Sequence, residues 1–147
     1  MARGRRSDLP DGTFHVTARG VAESSIVRDD FDRTAFCELL SRTLGRFAWR
    51  CDAYCLMTTH FHLVIATRRT SLSDGMHWLS GIYAQRFNLR HERRGHLFEN
   101  RFSVRAVRDE AHWREACRYV FDNPVKAGLC EKASDWPWSG GLFWAVR

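Results

Sequence analysis

The run AYCLMTTHFHLVIAT, residues 53–67, restricts the fold more than any other stretch of the chain. Two apolar segments, WRCDAYCLM and FHLVIAT, stand on either side of a short threonine-bearing connection, and such segments pair as a β-hairpin. Inside the second lies His60-Phe61-His62. Burying an imidazole without a partner costs free energy, so two of them in an apolar strand need a reason. Residues i and i+2 of a strand share a face. His60 and His62 therefore aim their rings to one side, while Phe61 and Leu63 anchor in the other.

The flanking segments extend the pattern. TFHVTARG (13–20) alternates apolar and polar residues up to Gly20 and reads as a strand. RTAFCELLSRTLGRF (33–47) repeats Phe36, Leu39, Leu40, Leu44 and Phe47 near the helical period, behind Asp29, Asp30 and Asp32 as capping candidates. SLSDGMHWLSGIYAQRFNLRHERR (71–94) reads as a second helix begun by Ser or Asp, with Met76, Leu79, Tyr83 and Phe87 on one side. HLFENRFSVRAV (96–107) reads as a fourth strand, with Phe102, Val104 and Ala106 on one face and Arg101, Ser103 and Arg105 on the other. DEAHWREACRYVFDN (109–123) reads as a third helix, stopped by Pro124 and Gly128. This order predicts an α+β, ferredoxin-like domain: a four-stranded antiparallel sheet with helices packed mainly on one face. A length of 147 residues suits one domain, here residues 13–147 behind a flexible basic arm at 1–12.

Composition narrows the function class. The formal net charge is +6, and 21 of the 23 basic residues are arginine, with Lys126 and Lys132 the exceptions. Arginine grips phosphate bidentately and is weakly hydrated, so the bias favours a polyanionic partner, although a coding preference for arginine produces the same composition. The five cysteines form no C-x-x-C pair; Cys51 and Cys55 lack the second pair of a zinc ribbon and read as buried thiols. No apolar run approaches the ~20 residues of a membrane span, and no signal-peptide pattern is present. Reduced thiols and a cytoplasmic, nucleoid-associated protein are expected.

A second constellation is RYVFDNPVKAG, residues 118–128. Trp113, Ala116, Cys117 and Val120 form the buried stripe of the helix. Tyr119 and Asn123, four apart, lie one above the other on a neighbouring face. A tyrosine hydroxyl can attack phosphate and form a phosphotyrosine ester, but for this Tyr and Asn taken alone packing is the better account. A cation held by His60, His62 and the Asn123 amide would sit beside Tyr119, and two imidazoles with one amide oxygen leave positions for phosphate oxygens and water. That donor set suits Mg²⁺ or Mn²⁺ during turnover.

These blocks resemble the REP-associated tyrosine transposases, a branch of the single-tyrosine HUH transposases. The likeness spans nearly the whole chain: FHVTARG, AYCLMTTHFHLVI, YAQRFNLRHERRGHLFENRF, RYVFDNPVKAGL and DWPWS. It implies that His60 and His62 are metal ligands of the HUH motif, that Tyr119 is the nucleophile, and that Asn123 is the helix-borne third ligand. Tyr83 is the competing tyrosine and reads as packing. Three positions depart from the family pattern: Thr58 and Thr59 stand where Pro and Asn or Glu are usual, and Gly140 follows Ser139 where a second serine is usual. The implied activity is metal-dependent nicking and joining of single-stranded DNA through a 5′-phosphotyrosine intermediate, on hairpins of repeated extragenic palindromes, by a monomer or homodimer. A domesticated protein of the same fold that binds DNA without cleaving it is the alternative.

Hairpin binding needs cations facing phosphate and surfaces on which bases stack. The candidates are Arg90, Arg93 and Arg94 in the RHERR loop, Arg101 and Arg105 on the fourth strand, and Arg118 and Lys126 near Tyr119. Arg3, Arg5 and Arg6 of the arm join them, and Trp136 and Trp138 can stack a base or cap the core. His15-Val16-Thr17 is half of the paired H-x-T signature of two-histidine RNA phosphoesterases, but no second H-x-T exists.

Overall fold

The computed structural model describes residues 11–146. Of the arm read over 1–12, residues 1–10, with Arg3, Arg5 and Arg6, lie outside the described residues, and Gly12 already opens the first strand. The elements run β1 (Gly12–Arg19), α1 (Asp30–Arg46), β2 (Arg50–Leu56), β3 (His60–Thr67), α2 (Arg69–Arg90), β4 (Ser103–Val107), α3 (Glu110–Lys126), β5 (Ser139–Gly140) and α4 (Phe143–Val146). The sheet order is β4-β1-β3-β2-β5, with every pairing antiparallel. Its first four strands have the expected ferredoxin-like arrangement. The two-residue β5 adds a fifth, because the tail doubles back so that Ser139 pairs with Cys55 and Gly140 with Tyr54.

Strand alternation gives the sheet two different faces. Phe14, Val16 and Ala18 of β1 and Phe61, Leu63 and Ile65 of β3 pack under α1 and α2, with Phe36, Leu39, Met76, Leu79, Tyr83 and Phe87. Phe61 is fully buried there, which stabilises the fold by about 1.5–3 kcal/mol and fixes the facing of the histidines on either side. Tyr83 belongs to this core: its ring meets Phe36 edge-on and its hydroxyl donates to the Ile26 carbonyl. The third helix covers the opposite face, where Ala116, Cys117, Val120 and Phe121 pack on Ala53, Cys55, Met57 and Val64. No helix among the described residues is long and apolar enough to cross a membrane.

Element boundaries differ from the sequence reading for local reasons. The segment 96–102 is not regular strand; it crosses the end of β1 through one bridge, Gly20 to Phe98, and β4 begins only at Ser103. Helix α2 starts at Arg69, and no side chain of its own caps it; Asp11 accepts the Arg69 N–H instead. It ends at Arg90 because Glu92 adopts a left-handed conformation. Helix α3 does not stop before Pro124 but runs through it to Lys126. The end is made by Gly128, with φ +74, in a Schellman closure: Gly128 N–H donates to the Val125 carbonyl and Leu129 N–H to the Pro124 carbonyl. One extra residue in β2, Asp52, forms a bulge between Cys51 and Ala53. Its buried carboxylate pairs with Arg50 at 2.9 Å and accepts Trp113 Nε1–H at 2.9 Å, tying α3 to the sheet.

Candidate active site

The site lies between the central strands and α3. Its polar members follow from register. On β3, His60 and His62 stand on the α3 side, and across the ladder Thr17 of β1 is the direct partner of His62 and Arg19 that of His60. The odd residues of β1, His15, Thr17 and Arg19, thus share the histidine face while Phe14, Val16 and Ala18 fill the other core. His60 and His62 meet edge-on with ring centroids 4.9 Å apart. Helix α3 brings Tyr119 against two of these rings, 5.6 Å from His62 and 5.6 Å from His15. Tyr119 remains 43% exposed.

The two histidines are held differently. His60 Nδ1 lies 3.0 Å from Thr59 Oγ1. His62, 2% exposed, has its Nδ1 3.0 Å from Thr17 Oγ1 and 3.3 Å from His15 Nε2. Its other nitrogen, Nε2, is buried and has no hydrogen-bond partner. Burial, then the neighbouring His60, His15 and Arg19, lower the His62 pKa to about 3. Burial, Arg105 and His112 lower that of His15 to about 4. Burial and Arg19 lower that of His60 as well. All three rings are therefore neutral near pH 7, the form in which imidazole ligates a cation. Among the described residues no three His, Cys, Asp or Glu side chains gather as a cation-binding group, so any ion here needs a ligand of another kind. Asn123 supplies a candidate oxygen: its Nδ2 donates to the Tyr119 carbonyl at 2.7 Å, which leaves Oδ1 available. No hydrogen bond joins Asn123 to either histidine among the described residues.

Beside Tyr119 opens a cleft of about 570 Å³, lined by His15, Thr17, Arg19, His62, Ser103, Val104, Arg105, Arg108, His112, Glu115, Ala116 and Tyr119. His60 and Asn123 lie outside this lining. Lys126 places its Nζ over the Tyr119 ring, 5.1 Å from the centroid. The sequence reading missed His15, Thr17, Arg19 and Arg108 as site residues. The signal for the first three was the alternation of β1, which sets them in phase with one another and out of phase with the apolar residues.

The expected basic contacts separate by environment. Arg105 lines the cleft, and Arg94, Arg101, Arg118 and Lys126 are exposed. Arg90 is instead engaged by Asp29 and Asp32, at 2.7 Å each, and stacks on Phe31. Arg93 folds back on the Asn88 side chain and the Gly95 and His96 carbonyls. Trp136 donates to the Leu56 carbonyl, and Trp138 packs against the first core.

The chain is thus a small antiparallel α+β domain in which strand histidines face a helix-borne tyrosine. A family model described as "Transposase IS200 like" matches residues 9–123, and the chain belongs to that family of transposases. No curated protein matches the sequence. Among solved structures, a REP-associated tyrosine transposase bound to a REP hairpin superposes with a TM-score of 0.74 at 20% identity, over 95% of this chain and 82% of that one. A transposase described as putative, from Deinococcus radiodurans R1, superposes with a TM-score of 0.55 at 18% identity, over 84% of this chain and 97% of that one. Both likenesses concern the fold.

Proposed function

We propose that this transposase nicks and joins single-stranded DNA with the help of a divalent cation, Mg²⁺ or Mn²⁺, through a 5′-phosphotyrosine formed on Tyr119, and that its substrates are hairpins of repeated palindromic elements. The carrying observation is the buried, partnerless Nε2 of His62, a residue whose ring meets that of Tyr119 edge-on. A buried polar nitrogen without a partner costs about 1–3 kcal/mol, and a cation removes that cost. By donor chemistry, the neutral rings of His60 and His62 and the amide oxygen of Asn123 are the groups that would hold such an ion. When bound, the ion supplies Lewis-acid polarisation of the scissile phosphate and a template for its oxygens.

Each remaining part falls to the chain's own groups. Tyr119 Oη loses its proton and attacks phosphorus; the bond from phosphorus to the 3′ oxygen breaks, and that oxygen takes up a proton as a free 3′-OH. The 5′ phosphate stays on Tyr119 as an ester of similar energy, so a later 3′-OH can attack it and rejoin strands without another energy source. Arg19, Arg105 and Arg108 at the cleft and Lys126 over the ring supply positive charge for the phosphates on either side of the bond. The net charge of +6 and the REP hairpin on the similar solved structure support a hairpin substrate.

The test incubates a single-stranded REP-type hairpin with the protein and Mn²⁺ and looks for a covalent adduct on a denaturing gel. Wild type should form it and Tyr119→Phe should not. Hairpin binding without an adduct would favour the non-cleaving alternative, and an adduct that persists in Tyr119→Phe would remove Tyr119 from its role.

A further inference from the structure

The threonine at the family-divergent position before the first histidine has a specific place in the site. Thr59 is pinned on the tight turn between β2 and β3: its carbonyl accepts the Gly20 N–H at 2.8 Å, the Thr58 carbonyl accepts the Ile26 N–H at 2.8 Å, and Met57 N–H donates to the His60 carbonyl at 2.9 Å. With its backbone so held, Thr59 Oγ1 sits 3.0 Å from His60 Nδ1. One strand away, the β1–β3 register sets Thr17 opposite His62, and Thr17 Oγ1 sits 3.0 Å from His62 Nδ1. Each histidine thus has a hydroxyl at the same ring nitrogen, Nδ1.

A neutral imidazole carries one proton, and whichever nitrogen lacks it is the ligand atom. For His62 the two choices are unequal. A proton on Nε2 would be a buried donor with no acceptor, because that atom has no partner; such orphaned donors are rare. A proton on Nδ1 meets Thr17 Oγ1, with His15 Nε2 as a second acceptor at 3.3 Å. For His60 only the neighbouring hydroxyl bears on the choice: Thr59 Oγ1, 3.0 Å from Nδ1, offers an acceptor for a proton placed there.

We propose that Thr59 and Thr17 are positioning residues that accept the Nδ1–H of His60 and His62 and so hold both rings with the Nε2 lone pair free for a divalent cation. This inference rests on the metal reading above for its purpose, though not for its geometry. Partners of this kind behind ligating histidines usually govern metal affinity by about 10- to 100-fold.

The test uses the full chain and two readouts. In the metal-free protein, long-range proton–nitrogen correlation spectra report which ring nitrogen is protonated; wild type should show Nδ1–H for both His60 and His62, and an Nε2–H form at either would overturn the proposal for that histidine. Second, Mn²⁺ alone is titrated by calorimetry. Thr59→Val and Thr17→Val, which keep the shape and lose the hydroxyl, should each weaken Mn²⁺ binding about 10- to 100-fold, and Thr59→Ser and Thr17→Ser should recover most of it. Folded valine variants that bind as wild type does, or serine variants as weak as valine ones, would overturn it. Should wild type bind no Mn²⁺, the metal reading fails, and the ring tautomers of the metal-free protein still decide this inference. If Thr17→Val does not fold, Thr17→Ser and the wild-type spectra decide the His62 half.

Discussion

His62 and Tyr119 meet edge-on, their ring centroids 5.6 Å apart and their planes at 89°. The contact joins the buried middle of β3 to an exposed residue of α3 through a histidine with a partnerless nitrogen. A core residue chosen for stability alone would not leave that atom orphaned.

The His62→Leu variant separates stability from function. Leucine has similar bulk and removes the unsatisfied nitrogen, whose burial costs about 1–3 kcal/mol; it also forfeits the contact with Thr17, worth about 1 kcal/mol. The metal-free variant should therefore match wild type or exceed it by about 1 kcal/mol in urea unfolding. It should lose any Mn²⁺-dependent rise in thermal midpoint and form no DNA adduct. A clear loss of stability would mean that the ring is a packing residue.

Helix α2 offers a test of the first core. Gly75 faces Trp49, and a Cβ there would come within 2.3 Å of the indole ring. Trp49 is 5% exposed and its Nε1–H donates to the Ser71 carbonyl at 3.0 Å, so it has little freedom to withdraw. Alanine normally gains about 1 kcal/mol over glycine inside a helix. Here overpacking should outweigh that gain, and Gly75→Ala should be destabilising by about 1 kcal/mol or more in urea unfolding.

The facing of β1, β4 and the start of β3 was legible because period-two alternation is written into them: Phe61 between His60 and His62, and Val104 between Ser103 and Arg105; bulged β2 carries no such pattern. Spacing gave the faces of Tyr119 and of the histidines, but that the two faces meet came only from the supposition of a shared cation and from the family resemblance. His15 and Thr17 were harder. Their phase was visible, but only the β1–β3 register shows that Thr17 falls opposite His62. The run of α3 through Pro124 was hidden because the missing donor falls in the last turn, where Gly128 and Leu129 close the helix by other bonds. The role of Arg90 was hidden for another reason: its partners Asp29 and Asp32 lie about sixty residues away in sequence.

Asp29 gives a pH dependence of known sign. It caps α1 by accepting the Asp32 N–H at 3.0 Å and pairs with Arg90, and these bonds hold its pKa down at about 2 against an ordinary 3.8. A carboxylate whose pKa is depressed on folding stabilises the protein above its unfolded pKa, and that contribution is lost as pH falls through the folded one. Asp29→Ala should therefore lower the thermal midpoint relative to wild type at pH 7 and pH 5, and the gap should close as pH falls from about 4 toward 2. A gap that stayed constant would show that the carboxylate charge is not what Asp29 contributes.

The same cluster sharpens the choice among arginines. Arg90 is already neutralised by two carboxylates, whereas Arg105 lines the cleft beside Tyr119 and lies close enough to His15 to lower its pKa. A cation that contacts phosphate releases counterions on binding, and its loss reduces the salt dependence of affinity by about 0.7 in the log–log slope for single-stranded DNA. Arg105→Ala should weaken binding of a fluorescently labelled hairpin and flatten that slope by about this amount, while leaving urea unfolding unchanged. Arg90→Ala should do the reverse: lower stability, because buried Asp32 loses its guanidinium and keeps only the Arg28 N–H and His91, and keep the wild-type salt slope. Fluorescence anisotropy titrations at three or four salt concentrations, run beside unfolding curves for both variants, check the pair. If Arg90→Ala flattens the slope and Arg105→Ala does not, the DNA path runs over the α1–α2 side of the sheet and not across the cleft.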